Sequence, residues 1–244
     1  MADMKYPHRS TFTQISLFSV LLCGRYGGVT SLGEVKKLGD MAIGTMDRLD
    51  GEMLMINGEV FQACADGQVH RPGDDETIPF GTIAAFRADQ TLEPRGISSY
   101  EAFEAYMREC FPNENIPLAI HFAGRFGHMK VRAVGRQEQD GTGLAEAAQE
   151  EAVFQLGDTA GDLMGFRLPG YVLGINAPGW HLHFIDADRK CGGHVVNFSM
   201  TGGMLRVCRC GDFELRLPDD PDALAGLDLA RDRSGDLRKA EAER

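Results

Sequence analysis

Long apolar segments are absent from this sequence. The longest run, ISLFSVLLC at residues 15–23, is far shorter than the ~20 residues that a bilayer-spanning helix requires. Basic residues upstream make it look superficially like a secretory signal, but no small-residue cleavage site follows it. The side chains of Leu17, Phe18, Leu21 and Leu22 fall on one helical face. We therefore interpret the run as an amphipathic helix of the mature protein and expect a cytoplasmic location.

Positive charge is also scarce. The 244 residues include 25 Lys and Arg against 36 Asp and Glu, which gives a formal net charge of −11 at pH 7. Such a surface repels phosphate backbones and anionic lipids, which argues against nucleic acid or membrane partners. An anionic substrate would need a local positive charge from a metal ion or a buried arginine. The sequence contains neither a GxGxxG nor a P-loop motif, so no organic cofactor is predicted.

Closely spaced cysteines are limited to one pair. The six cysteines are scattered, and a chain of this length can build its own core without disulfide bonds. Cys208 and Cys210 alternate in MLRVCRC, a spacing that suits half of a metal site. The simpler interpretation is that both are alternate residues of one strand and face the core.

Most of the sequence has the alternation typical of β-strands. Residues 41–64 form a predicted antiparallel meander in which Asn57-Gly58 supplies a hairpin turn. Residues 117–134 alternate as two strands around Gly124, and the C-terminal third is again rich in strands. Antiparallel or mixed pairing is therefore expected through most of the chain.

Helices are predicted at few places. Besides the helix at residues 15–23, one is capped by Ser31 and another by Ser98, and an acidic, Ala-rich stretch at 142–151 is a further candidate. A few helices among many strands indicate an α+β fold built on mixed or antiparallel β-sheets. We divide the chain near residue 115 into an N-terminal mixed-sheet half (1–115) and a C-terminal, β-rich, metal-binding half with a tail (116–244).

Three of the seven histidines occur in one short segment, GWHLHFIDADRKCGGHVVNF. On a strand, His181 and His183 project from the same face. If the polar stretch DADRKCGG forms a hairpin turn, His194 pairs with His183, and the three rings converge as in a three-histidine metal site with an open coordination position. Neutral imidazole suits Zn²⁺, Fe²⁺, Ni²⁺ or Cu²⁺. The alternative is that the His-x-His spacing on a strand is a coincidence.

Charged residues in two other segments are further candidates. Glu52 begins the apolar strand EMLMI, where a carboxylate is partly removed from water, whereas Asp47 and Asp50 crowd the preceding turn. For each of these acids, the alternative is a solvated hairpin residue. Arg132 lies in the strand-like segment MKVRAV and is either a surface residue or an inward cation that holds a carboxylate.

Taken together, these segments resemble the α-acetolactate decarboxylase family. The resemblance is carried by GDMAIGTMDRLDGEM with NGEVFQ, then KVRAV, then GFRLPGYVLGINAPGWHLHFIDADRKCGGHVVNF. These motifs occur in the family's order between about Gln14 and Pro218, and HLHF…DR…GGHV is the most specific of them. The resemblance implies a two-part fold built on mixed sheets and a homodimer.

The same resemblance implies conversion of (S)-2-acetolactate to (R)-acetoin and CO₂ through a metal-stabilised enediolate. It implies a zinc ion held by the three histidines that match His181, His183 and His194. Two departures from the family pattern bear on access to the pocket. Trp180 stands where a smaller aromatic residue is usual, and the segment 137–150 matches poorly.

The other catalytic groups are also carried over from the resemblance. The family's Thr, Glu and Arg match Thr45, Glu52 and Arg132, and a C-terminal Glu that reaches the metal site matches Glu243, with Glu241 as the second choice. In this chemistry we expect the Arg to orient the substrate carboxylate and the Glu to deliver a proton to one face of the enediolate. We expect the Thr to form a hydrogen bond with the substrate.

Two other functions remain open at this point. Cupin-like metal-dependent oxygenases and isomerases also use His-x-His and a later His on strands, but they place a Glu a few residues after the second His. Here Phe184, Ile185 and Asp186 follow instead. A non-catalytic metal-binding β-protein is the third possibility, and it leaves Glu52 and Arg132 without a role. Acetoin formation from acetolactate would distinguish the decarboxylase from both.

Overall fold

The computed structural model describes residues 10–141, 143–147 and 151–241, except for the side chains of residues 145 and 238–241. Among these residues the strands are β1 (Ser10–Ile15), β2 (Thr30–Ser31), β3 (Met41–Thr45), β4 (Glu52–Ile56), β5 (Glu59–Ala63), β6 (Val69–His70), β7 (Thr77–Ile78), β8 (Phe80–Ala84), β9 (Gln90–Leu92), β10 (Leu118–Ala133), β11 (Ala152–Leu156), β12 (Thr159–Leu168), β13 (Gly179–Asp186) and β14 (Gly192–Arg216). The helices are α1 (Phe18–Leu22), α2 (Leu32–Leu38), α3 (Tyr100–Cys110), α4 (Leu144–Ala147) and α5 (Ser234–Glu241).

Twelve of these strands form one mixed sheet. Within the described ranges its order is β11-β10-β12-β13-β14-β1-β8-β3-β4-β5-β6. In addition, β9 pairs with β14 and β10 also pairs with β14, while β2 and β7 form a separate ribbon. Strands β1 and β14 run parallel, and the other pairs are antiparallel. The predicted α+β class is thus confirmed. The pairing of β1 with β14 joins the N-terminal and C-terminal strands in one sheet. The division of the chain near residue 115 stays a prediction.

Local turn and cap chemistry explains several of the boundaries. Asn57-Gly58 connects β4 to β5 with φ values of 51° and 81°, the left-handed conformation that a tight hairpin turn requires. The Ser31 side chain caps α2 as predicted. Helix α3 is capped by Ser99, which accepts a hydrogen bond from the backbone of Ala102, so the cap lies one residue later than predicted.

Two segments differ from the sequence-based prediction. Helix α1 spans only five residues, and all of them, including Ser19, are buried, so it is enclosed rather than amphipathic. Strand β10 continues through Gly124 without a turn and pairs there with Gly161 and Gly203 on its two sides. A Cβ at Gly124 would lie 2.6 Å from the Phe122 ring and 2.4 Å from the Gly202 carbonyl oxygen. Glycine is needed here for close strand packing.

Strands β3 and β4 pack against strands β12 and β13. Ile43 and Leu54, from β3 and β4, share one buried apolar cluster with Met164 and Ile185, from β12 and β13. These strands are far apart in the sheet order, so the sheet must curl to bring them together. Helix α3 covers the opposite face of the C-terminal strands. In the described part of the chain, no helix has both the length and the apolar character needed to cross a membrane.

Candidate active site

Three histidine side chains converge on one face of the β13–β14 hairpin. His181 and His183 alternate on β13, and His183 is the direct register partner of His194 on β14, which confirms the predicted pairing. One ring nitrogen from each lies within 4.8 Å of the others, and the Nε2 atoms of His181 and His183 are 3.1 Å apart. All three side chains are buried. The local alternation of the sequence therefore builds the cluster.

A backbone hydrogen bond sets the orientation of the His183 ring. Its Nδ1 lies 3.1 Å from the Met53 carbonyl oxygen of β4. A carbonyl can only accept, so Nδ1 carries the proton and Nε2 offers a lone pair to the cluster. Burial, reinforced by the neighbouring His181, lowers the pKa of His183 well below its usual value. Three buried imidazoles with ring nitrogens this close together are a donor set that suits a divalent transition metal.

Glu52 and Thr45 approach the cluster from the neighbouring hairpin, β3–β4, where they are register partners. The Glu52 Oε2 atom lies 3.4 Å from His183 Nε2, and the carboxylate side chain is 13% exposed. The Thr45 hydroxyl donates to the Gly51 carbonyl oxygen at 3.0 Å. Asp47 and Asp50, in the connecting turn, face Arg136 on the surface. Of the three acids in this segment, Glu52 is thus the one that faces the histidines.

Arg132 is an inward cation, and its partner is Glu151. The Nη1 atom donates to Glu151 Oε2 at 3.0 Å, and the two side chains are only 8% and 6% exposed. The pairing matches the expectation that an inward Arg at this position holds a carboxylate. Sequence reasoning missed Glu151, because nothing in EEAVF indicates which of its two acids turns inward.

A cavity joins these side chains. Its polar lining consists of Thr45, Glu52, Arg132, Glu151, His181 and His194. Its apolar lining includes Phe18, Leu21, Leu49, Phe80, Val134 and Leu144. The structure therefore brings together a nitrogen donor cluster, carboxylates and a guanidinium against an apolar wall. Such a wall limits water and strengthens the electrostatic interactions inside the cavity.

The C-terminal acids follow or end helix α5. Glu243 lies outside the described residues, and Glu241 is the last residue of α5, with its side chain not described. Leu237 of the same helix packs against the cluster that contains Phe18, Leu21 and Phe80. Leu237 therefore places this part of α5 beside the apolar wall of the cavity.

Trp180 lies on the face of β13 opposite the histidines. Its ring packs edge-on against Phe103 of α3 at 5.1 Å between centroids, and its side chain is buried in the cluster beneath that helix. It is not among the residues that line the cavity. Trp180 therefore makes no direct contact through which it could change access to the cavity. Leu144, which belongs to the poorly matching segment 137–150, does line the cavity.

This chain is similar to known proteins both in sequence and in fold. A family model described as Alpha-acetolactate decarboxylase matches residues 12–230. The alpha-acetolactate decarboxylase of Methanosarcina mazei is 36% identical over 228 residues, which cover 93% of this chain and 79% of the relative. That of Bacillus licheniformis is 36% identical over 209 residues, 86% of this chain and 83% of the relative. The crystal structure of alpha-acetolactate decarboxylase from Bacillus subtilis has a TM-score of 0.90 at 30% identity and covers 95% of this chain and 98% of that one. The chain belongs to the alpha-acetolactate decarboxylase family.

Proposed function

We propose that this protein converts (S)-2-acetolactate to (R)-acetoin and CO₂. The observation that carries the proposal is one cavity in which a buried histidine cluster faces the Glu52 carboxylate and the Arg132 guanidinium. The names of the relatives support it. In this reaction the bond between C2 and the carboxylate carbon breaks, and its electron pair moves into the adjacent ketone to give an enediolate. A proton then adds to C2 to form acetoin.

The three histidines would hold a divalent metal, for which we propose zinc. A metal in this position supplies a Lewis acid for the charge that develops on the substrate oxygens when CO₂ leaves. The protein's own contribution is to present neutral rings, with the Met53 carbonyl holding His183 in the right tautomer. Glu243, or Glu241 as the second choice, is proposed to reach this site from the end of α5.

The remaining side chains act on the substrate directly. Arg132 orients the substrate carboxylate, because a guanidinium forms paired hydrogen bonds with a planar anion. Glu52 delivers the proton to C2 from one face, which fixes the handedness of acetoin. Thr45, held by the Gly51 carbonyl, keeps its hydroxyl oxygen as an acceptor for the substrate hydroxyl group. Glu151 holds one nitrogen of Arg132 and is proposed as a positioning residue.

The alternative, a cupin-like oxygenase or isomerase, gains no support from β13. The first carboxylate after His183 is Asp186, whose side chain accepts hydrogen bonds from the backbone of Lys190 and Cys191 in the turn. It therefore serves the hairpin turn. We further propose that the enzyme is a cytoplasmic homodimer that acts on a small molecule and binds neither nucleic acid nor membrane.

The test combines product and metal measurements on purified protein. We expect colorimetric detection of acetoin from acetolactate without a requirement for O₂, and loss of metal and activity together in His181→Ala, His183→Ala and His194→Ala. His128→Ala, a half-buried histidine of β10 outside the cavity, is the matched control and should keep both. A triad variant with stoichiometric metal and normal turnover would refute the site. Absence of acetoin with metal-loaded wild-type protein would refute the function.

A further inference from the structure

A second group of metal-binding side chains lies in the turn between β5 and β6. Cys64 directly follows β5, Asp66 lies in the turn, and His70 ends β6. The Cys64 Sγ atom, a carboxylate oxygen of Asp66 and a ring nitrogen of His70 all lie within 4.8 Å of one another. None of the three residues lines the cavity described above. The turn thus offers three donor atoms separate from those of the histidine cluster.

The backbone of this turn is fixed by its own hydrogen bonds. The Cys64 amide donates to the Gln68 carbonyl oxygen at 2.9 Å, and the Gly67 amide donates to the Cys64 carbonyl oxygen at 3.0 Å. The Gln68 amide donates to Asp66 Oδ1 at 2.9 Å. Gly67 has a φ of 85°, which favours glycine and closes the turn. The donor-bearing residues are therefore held together by the fold itself, which reduces the entropy lost when an ion binds.

Nearby charges favour a cation at this position. Burial is the main cause that raises the pKa of the Cys64 thiol to about 11, and the carboxylates of Asp50, Asp66 and Glu76 add to it. Of these, Asp50 also faces Arg136 at 3.4 Å. The nearest basic residue in the sequence, Arg71, directs its guanidinium to Glu59 at 3.5 Å and over the Phe61 ring. Within the described residues, neither the His70 ring nor the Cys64 thiol has a hydrogen-bond partner. Both groups are therefore available for a ligand.

We propose that Cys64, Asp66 and His70 bind a second divalent transition metal, with water completing its coordination. Sulfur, imidazole and carboxylate together select an ion such as Zn²⁺ or Co²⁺ over Mg²⁺ or Ca²⁺, which prefer oxygen donors alone. The ion would link the end of β5 to β6, the outermost strand on this side of the sheet. Its role would be to stabilise this edge, since its ligands are apart from the cavity.

The experiment titrates metal-free, full-length protein with Co²⁺ and records its absorption spectrum. Thiolate ligation of Co²⁺ produces a sulfur-to-metal charge-transfer band in the near ultraviolet, and the histidine cluster has no sulfur that could produce one. We expect two Co²⁺ ions bound per chain, with the band growing in for one of them. Cys64→Ser should remove the band and one ion. His181→Ala should lose the other ion and keep the band, which separates this test from that of the proposed function.

Cys110→Ser is the matched control, because Cys110 is an exposed thiol at the end of α3 and belongs to none of the metal-binding groups in the described part of the chain. It should retain both ions and the band. His70→Ala provides a second variant that leaves the thiol intact and should also lose the band, with the fold checked by circular dichroism. A wild-type protein without the band, or a band that persists in Cys64→Ser, would overturn the proposal.

Discussion

Glu151→Ala removes the carboxylate partner of Arg132 at the wall of the cavity. The two side chains are 8% and 6% exposed, so the substitution leaves a guanidinium charge in a poorly hydrated site. Breaking a buried pair in this way destabilises a protein by about 3–5 kcal/mol. Because the pair lines a cavity and is not enclosed by protein on every side, we take the low end of this range, about 3 kcal/mol. For a domain of this size that corresponds to a decrease in Tm of roughly 6–12 °C.

Thermal unfolding followed by circular dichroism measures this effect, and two further variants calibrate it. Glu151→Ala combined with Arg132→Met removes both charges and should recover part of the loss. Asp158→Ala breaks the ion pair with Arg125, whose side chains are 62% and 69% exposed, and should change stability by less than ~1 kcal/mol. A Glu151→Ala variant no less stable than Asp158→Ala, or a double variant with no recovery, would refute the argument that Arg132 and Glu151 form a buried, coupled pair.

The same pair has a kinetic consequence. In Glu151→Gln the side chain keeps its shape and an acceptor for Arg132, but the negative charge that repels a substrate carboxylate is gone. We therefore expect the KM for acetolactate to decrease while the fold is retained. Steady-state kinetics at fixed ionic strength measures this change. An unchanged or higher KM would show that the substrate anion does not compete with Glu151 for the guanidinium.

Three other perturbations test the remaining assignments. Glu52→Gln should fold and keep its metal, but it should form acetoin more slowly and with lower enantiomeric purity, because water then protonates either face of the enediolate. Chiral gas chromatography measures the handedness of the product, and an unchanged rate and handedness would exclude Glu52 as the acid. Arg132→Lys should lose activity although it keeps the positive charge, since an ammonium cannot form the bidentate contact of a guanidinium. Wild-type values of kcat and KM would contradict this. Burial raises the pKa of Asp162, but hydrogen bonds from His121 and Arg189 outweigh it and hold the pKa below its usual value. The ionised Asp162 therefore adds to the free energy of unfolding above the unfolded-state pKa of about 3.9, and this contribution is lost as the pH falls below it. The urea midpoint of Asp162→Asn should accordingly depend less on pH in this range than that of the wild type.

The histidine cluster could be predicted from the sequence because it is local. The alternation of His181 and His183 and the polar turn before His194 lie within one hairpin, and register alone brings the rings together. The partner of Arg132 could not be predicted in this way. Glu151 is 19 residues away in sequence, and its position depends on how the poorly patterned segment between β10 and β11 returns to the sheet.

The structural role of individual glycines could not be predicted from the sequence, for a different physical reason. A glycine within an alternating pattern indicates either a turn or a place where backbones approach closely. Asn57-Gly58 was a turn, whereas Gly124 was a close approach, because its neighbours on both sides, Gly161 and Gly203, are also glycines. Only the paired strands distinguish the two cases, and these partners are far away in the sequence.

The hydrogen bond between His183 and the Met53 carbonyl joins parts of the chain that are 130 residues apart. During synthesis, β4 leaves the ribosome long before β13, and a contact across so long a loop forms late, because loop closure costs entropy. Until it forms, the β13–β14 hairpin can pair, but the His183 ring has nothing to set its tautomer. Full affinity for an ion would therefore follow folding rather than nucleate it, in contrast to small zinc domains that are unfolded without their metal. If the histidines hold the proposed ion, the folded protein would acquire it from the divalent metals that the surrounding solution then offers.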